Sequence, residues 1–189
     1  MTVHPGGAPA KDDPSTSVAF FRNLNLGQRR SHSPTRAELL QAFTDAGAAA
    51  ASSFQVNGTV VFEPGTADPQ ALADDVVTLL TPVCGYADVA LARPVAWLRE
   101  LDLEELPRHA EVSFFDGPDP FPEPLPWVAP RKDGLTVVRA DHRHAVSVDD
   151  PERTSGATWV LEALLGVPVT SRGVPTMRRL QAKLSSARV

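Results

Sequence analysis

Apolar and polar positions along this chain fall into short blocks, separated by turn residues, that read as strands and helices in a repeating order. Val18-Ala19-Phe20-Phe21 is a continuous apolar block, so residues 18–22 form a buried strand. Thr35 and Glu38 have capping-box spacing, and Leu39, Leu40 and Phe43 make the apolar stripe of the helix they start. Gly47 stops that helix with a left-handed residue. Asn57-Gly58 between two β-rich runs predicts a tight hairpin, because both residues tolerate positive φ. Asp68-Pro69 caps a second helix with Leu72, Val76, Leu79 and Leu80 on one face, and residues 87–92 form the next strand. Strand, helix, strand, strand, helix, strand is the order of a ferredoxin-like unit.

Pro94 opens a short helix with Trp97, Leu98 and Leu101 inward and a solvated face of Glu100, Asp102, Glu104 and Glu105. A second set of elements follows. Strands are predicted at 111–115, 135–139, 144–148 and 167–170, and a helix at 159–165 ends at Gly166. A last helix carries Met177, Leu180 and Leu184 on one face. Six prolines between Pro118 and Pro130 remove amide donors and fix φ, so that stretch is read as neither helix nor paired strand but as a stiff polyproline surface connection. It stands where the first unit has its first helix. The pattern predicts two related α+β halves.

Composition narrows the class. With 189 residues, 42% apolar and 22% charged, the chain suits a soluble globular protein with one core or two small modules. A net charge of −5 argues against bulk attraction to nucleic acid. The lone Cys84 rules out an internal disulfide and reads as a buried, inert thiol without a basic neighbour. No signal peptide and no run of about 20 apolar residues is seen, so a cytoplasmic protein off the membrane is the expectation.

Candidate chemistry is sparse. There is no phosphate-binding P-loop, no dinucleotide fingerprint and no G-x-S-x-G, and no catalytic residue is assigned. His142 and His144 could share one strand face as metal ligands, but no third ligand follows, and hairpin-tip residues are the preferred reading. Ser113 and Ser147 alternate with apolar residues and read as outward-facing. Asp74-Asp75 and Asp149-Asp150 sit at helix-surface and turn positions, with no apolar setting to split their pKa values. No metal or cofactor is expected, and the oligomeric state is open.

Charge distribution is more informative. Residues 15–36 hold four arginines (Arg22, Arg29, Arg30 and Arg36) and no carboxylate. Residues 166–189 hold five cations (Arg172, Arg178, Arg179, Lys183 and Arg188) and no carboxylate. In a ferredoxin-like unit the loop after the first strand and the tip of the second-to-third-strand hairpin lie at the same end of the sheet. That places Arg22, Asn23 and Asn25 near Asn57, Gly58 and Thr59 and makes an anion-binding surface a candidate.

The chain also resembles the bacterial domain of unknown function 1697 family. Residues 21–28 resemble that family's opening R-G-I-N-V-G-G, residues 54–62 its Y-I-Q-S-G-N-V-V-F strand pair, and residues 169–180 its closing T-A-R-N-W-x-T-V-x-K-L. Arg22, Asn25, Gly27, Arg172 and Thr176 match, whereas Asn23, Gln28, Gly173 and Val174 depart. The resemblance implies an α+β protein of two ferredoxin-like (βαββαβ-type) halves with mainly antiparallel sheets, the second half lacking its first helix, plus a C-terminal helix. It implies no established activity. The expected layout is a disordered tail at 1–16, a first half at 17–93, a connecting helix at 94–109, and a second half at 110–189 with the proline-rich loop at 117–131. The candidate ligand-binding residues are Arg22, Asn23, Asn25, Gly27, Arg30, Asn57, Gly58, Thr59, Arg172 and Thr176. Their expected ligand is an anionic, phosphate-bearing small molecule, with a nucleic-acid end less favoured. An enzyme acting on a phosphorylated or carboxylated metabolite and a non-catalytic interaction or structural protein are the alternatives.

Overall fold

The computed structural model describes residues 16–130, 134–149 and 156–186. The first half runs β1 (Ser17–Phe21), a 3-10 turn (Arg29–Ser31), α1 (Arg36–Asp45), β2 (Ala50–Gln55), β3 (Thr59–Glu63), α2 (Pro69–Cys84) and β4 (Ala90–Pro94). The second runs from α3 (Val95–Arg99) through β5 (Ala110–Phe114), β6 (Trp127–Val128), β7 (Thr136–Ala140), β8 (His144–Val148), α4 (Ala157–Leu165), β9 (Thr170–Gly173) and α5 (Val174–Ser186). Apart from Thr16, the expected tail lies outside the described residues, as do Asp150 and Arg188.

Local chemistry sets the helix starts. Thr35 Oγ1 accepts from the Glu38 amide at 3.2 Å while Glu38 Oε2 accepts from the Thr35 amide at 2.8 Å, which closes the capping box of α1. Asp68 Oδ1 accepts from the Ala71 amide at 2.8 Å, and Pro69 takes the first position of α2.

The first sheet has the order β2-β3-β1-β4 and the second β6-β7-β8-β5-β9, with every pairing antiparallel. Without the short edge strand β6, the second order repeats the first. This is the two-half ferredoxin-like architecture, with β6 and its flanking loop where the first half has α1.

The sheets are layered. Ala19, Phe21, Val60 and Phe62 face Leu39 and Phe43 of α1 and Leu72, Val76 and Leu80 of α2. From the other face of β1, Val18 and Phe20 meet Val112 and Phe114 of β5, with Met177 and Leu180 of α5 alongside. The Phe20 and Phe114 rings stack 4.1 Å apart. β1 is thus buried on both faces, which is why its apolar run does not alternate. α4 covers the outer face of the second sheet, where Leu161 packs on Phe115, Val137 and Ala145. Each buried phenylalanine contributes about 2–3 kcal/mol by area, so the Phe20–Phe114 stack is a principal weld between the halves.

Several expectations are corrected. Trp127 and Val128 do pair, with Val137 and Thr136 of β7, because these two residues retain amide donors between Pro126 and Pro130 at a sheet edge. The hairpin loop has three residues, 56–58, and only Gly58 takes a positive φ, +66°. β4 starts at Ala90 because residues 87–89 form a corner in which Asp88 Oδ1 accepts from the Val89 amide. β9 starts at Thr170, since Pro168 has no donor and the Val169 amide goes to Glu162 Oε1 at 3.0 Å. Leu79 is 36% exposed, off the buried stripe of α2, and Cys84 is only partly buried. Ser113 and Ser147 are fully buried, because α4 covers the face they share with Phe115 and Ala145. Ser113 Oγ lies 2.7 Å from Ser171 Oγ, which lies 2.8 Å from Thr158 Oγ1. Asp149 is also buried rather than a surface turn residue.

Candidate functional site

β1 ends at Phe21 beside the β2–β3 hairpin. The Phe21 amide donates to Gly58 O at 2.8 Å and the Leu26 amide to Val56 O at 2.7 Å. The loop after β1 folds back on itself, with the Gly27 amide bonded to Pro34 O at 2.9 Å and the Asn25 amide to Ser33 Oγ at 3.1 Å. Loop and hairpin tip therefore share one end of the sheet.

Arg172 of β9 reaches into this junction from the second half. Its Nε donates to Thr59 Oγ1 at 3.1 Å and Nη1 to Thr170 Oγ1 at 2.9 Å and Ser171 O at 2.8 Å. Nη2 donates to Asn57 O at 2.8 Å and Phe21 O at 3.0 Å, with Gly58 O at 3.4 Å. The guanidinium lies 5.6 Å from the Phe20 ring centroid, and the residue is 7% exposed. Burial pulls its pKa down to about 10, still far above neutral pH, so a buried cation joins the halves through their own backbone oxygens.

Arg22 is likewise engaged. It forms a fork with Glu162 of α4, Nε to Oε1 at 2.7 Å and Nη2 to Oε2 at 3.0 Å, while Nη1 donates to Asp88 Oδ2 at 2.8 Å. The Glu162 hydrogen bond is the main influence raising its pKa. Tyr86 Oη donates to Arg22 O at 2.7 Å, and burial pushes that phenol's pKa up.

The remaining candidates divide. Asn23 takes φ 53° and donates to Asp88 Oδ2 at 2.9 Å. Asparagine tolerates the left-handed region, so this departure from glycine keeps the backbone path. Gln28, the other departure in the loop, has φ −87°, where glycine is not needed. Gly27 has φ +82°. Gly58 has a second constraint, since a Cβ there would sit 2.9 Å from Phe21 Cβ and 3.0 Å from Leu24 Cβ. Asn25, Arg30 and Arg36 are exposed, and neither arginine has a carboxylate partner among the described residues. Arg29 pairs with Glu38 at 2.5 Å. Thr176, in the first turn of α5, lies 3.4 Å from Arg179 Nη2 of its own helix and has no described hydrogen bond to the loop.

At a second constellation the sequence pattern paired His144 with His142, whereas the structure pairs it with Asp141. In the turn before β8, Asp141 Oδ1 accepts the amides of Arg143 at 2.7 Å and His144 at 2.8 Å and lies 2.9 Å from His144 Nδ1. Burial opposes ionisation of Asp141, but the two amides and the imidazole outweigh it and hold its pKa below the ordinary 3.8. His144 borders a cavity of about 290 Å³ beside α3, with its ring edge-on to Trp97 at 5.1 Å. The Asp141 and His144 spacing was the available signal. Among the described residues no group of three potential ligands could hold a metal ion. A larger apolar cavity of about 320 Å³ lies between Trp127 and Trp159.

Together these features define an α+β protein of two ferredoxin-like halves, joined by the buried Arg172 and the half-buried Arg22 around a loop–hairpin junction. The family described as "Protein of unknown function (DUF1697)" matches residues 15–143, and the chain belongs to it. None of the curated proteins matches the sequence. Among solved structures the chain is similar to a conserved bacterial protein, SP0830 from Streptococcus pneumoniae, at 16% identity and a TM-score of 0.63, over 91% of this chain and 99% of that one. At that identity the likeness is one of fold. Among the described residues, no helix is long and apolar enough to cross a membrane.

Proposed function

We propose that the protein is a non-catalytic binding module that takes a phosphate-bearing anion on the outer surface of the loop after β1 and the start of α1, through Arg30, Arg36 and Asn25. The observation that supports it is a pair of exposed arginines without carboxylate partners among the described residues, one on a loop tied down by backbone hydrogen bonds and one at the start of the helix that follows it. A loop already ordered loses little entropy on binding. Arg22, Gly58, Thr59 and Arg172 then act by holding the loop and hairpin in place, since their polar groups are engaged within the protein. An enzyme would need a general base beside the anion. The imidazole within this loop, His32, has Nδ1 3.3 Å from Cys84 O, and no carboxylate adjoins its ring among the described contacts.

Thermal shift and calorimetry with pyrophosphate and ATP at low salt test this reading. Binding should weaken about tenfold or more in an Arg30→Ser/Arg36→Ser double variant of unchanged Tm, and should fade with added salt. Failure of both anions to bind at low salt, or equal binding by the double variant, would refute it.

A further inference from the structure

The cavity beside His144 has the chemistry of a second ligand site. Its apolar wall is Trp97, Leu101, Leu103 and Val146. Its polar groups are Glu100, Asp102, Arg139 and the imidazole of His144. A carboxylate only accepts, so the 2.9 Å contact with Asp141 Oδ1 assigns the proton to His144 Nδ1. In the neutral ring Nε2 is then an acceptor. It has no described hydrogen-bond partner and is not among the side-chain atoms sealed from solvent without one. Asp141, held by two amides, fixes the orientation of the ring in the manner of a positioning carboxylate.

The charges at the rim favour one sign of ligand. Arg139 is neutralised by Asp102, with Nη1 3.1 Å from Oδ2 and 2.7 Å from the Asp102 carbonyl. Glu100 is exposed at the end of α3 and has no ion pair among the described residues. One uncompensated carboxylate and one imidazole acceptor thus flank an apolar wall that includes an indole. We propose that this groove binds a small primary amine with an apolar body. The body packs on Trp97, Leu101 and Val146, and the ammonium donates to His144 Nε2 within reach of Glu100. The site is separate from the loop after β1 and the start of α1 and does not depend on the anion reading.

Phenethylamine, with phenylacetate as its charge-reversed counterpart, is the probe. In a heteronuclear NMR titration of the full chain, phenethylamine should shift the Trp97 indole and His144 imidazole resonances saturably, while phenylacetate does not. His144→Ala and Glu100→Gln should each weaken amine binding by about tenfold, the loss of one charge-assisted contact, with unchanged backbone spectra. Arg30→Ser should leave it unaltered. Perturbation by both probes, by neither, only around Trp127 and Trp159, or equally in the His144→Ala and Glu100→Gln variants would overturn the proposal.

Discussion

Arg172 and Phe21 stand 151 positions apart in sequence, and a 3.0 Å hydrogen bond from guanidinium to carbonyl joins them across the two halves. The same Nη2 also reaches Asn57 O, so one planar side chain ties the end of β1 and the hairpin tip to β9. Removing it strands oxygens to which no other side chain among the described residues donates. Arg172→Met should lower unfolding stability by about 3 kcal/mol. Arg172→Lys should restore only part of it, because an ammonium cannot span the fork of acceptors. Urea denaturation measures both, and a loss below about 1 kcal/mol in Arg172→Met would contradict the role assigned here.

Gly58 makes an independent test of the same junction. Its φ of +66° and the 2.9 Å approach to Phe21 Cβ each disfavour a side chain. Gly58→Ala should cost about 2–3 kcal/mol, more than the roughly 1 kcal/mol expected from a positive φ alone. Gly27→Ala, with positive φ but open space around it, should show only the conformational part. Comparing the two variants by thermal denaturation separates strain from overlap.

Arg22 and Glu162 offer a coupled pair. Their side chains are each 24% exposed and meet in a two-point fork, a stronger geometry than an ordinary surface ion pair. A double-mutant cycle with Arg22→Met and Glu162→Gln should give a coupling of about 1–2 kcal/mol that shrinks with salt. Additive effects would mean that Arg22 relies on Asp88 alone.

Much of the fold was legible locally. Thr35 with Glu38, Asp68 with Pro69 and the all-apolar Val18–Phe21 run each signal their element within a few residues. The 2-3-1-4 strand order then follows from ferredoxin-like topology, and with it the meeting of Phe21 and Gly58. What escaped depends on distant partners. Arg22 has no acid near it in sequence, yet Asp88 and Glu162 come from 66 and 140 positions away. Charge counting therefore made a candidate ligand-holder of an arginine already paired. Ser113 and Ser147 alternate like surface residues, but α4 closes over their face, and no periodicity within a strand reports which helix will cover it. The departure at Asn23 looked like a lost glycine and is instead a left-handed asparagine at φ 53°.

Asp141 predicts a pH dependence. Its pKa is held below 3.8 in the folded protein, so its contribution is fully present above the unfolded value and is lost as pH falls through the folded one. Asp141→Asn cannot ionise and keeps at most a weaker acceptor for the Arg143 and His144 amides. Because the aspartate side chain is 40% exposed, solvent screening limits the effect to about 0.5 kcal/mol near neutrality. The stability gap between wild type and Asp141→Asn, followed by urea denaturation at neutral pH, near pH 4.5 and near pH 2.5, should narrow toward the acid end. A gap that stayed constant or widened on acidification would show that the Asp141 carboxylate does not act through its charge.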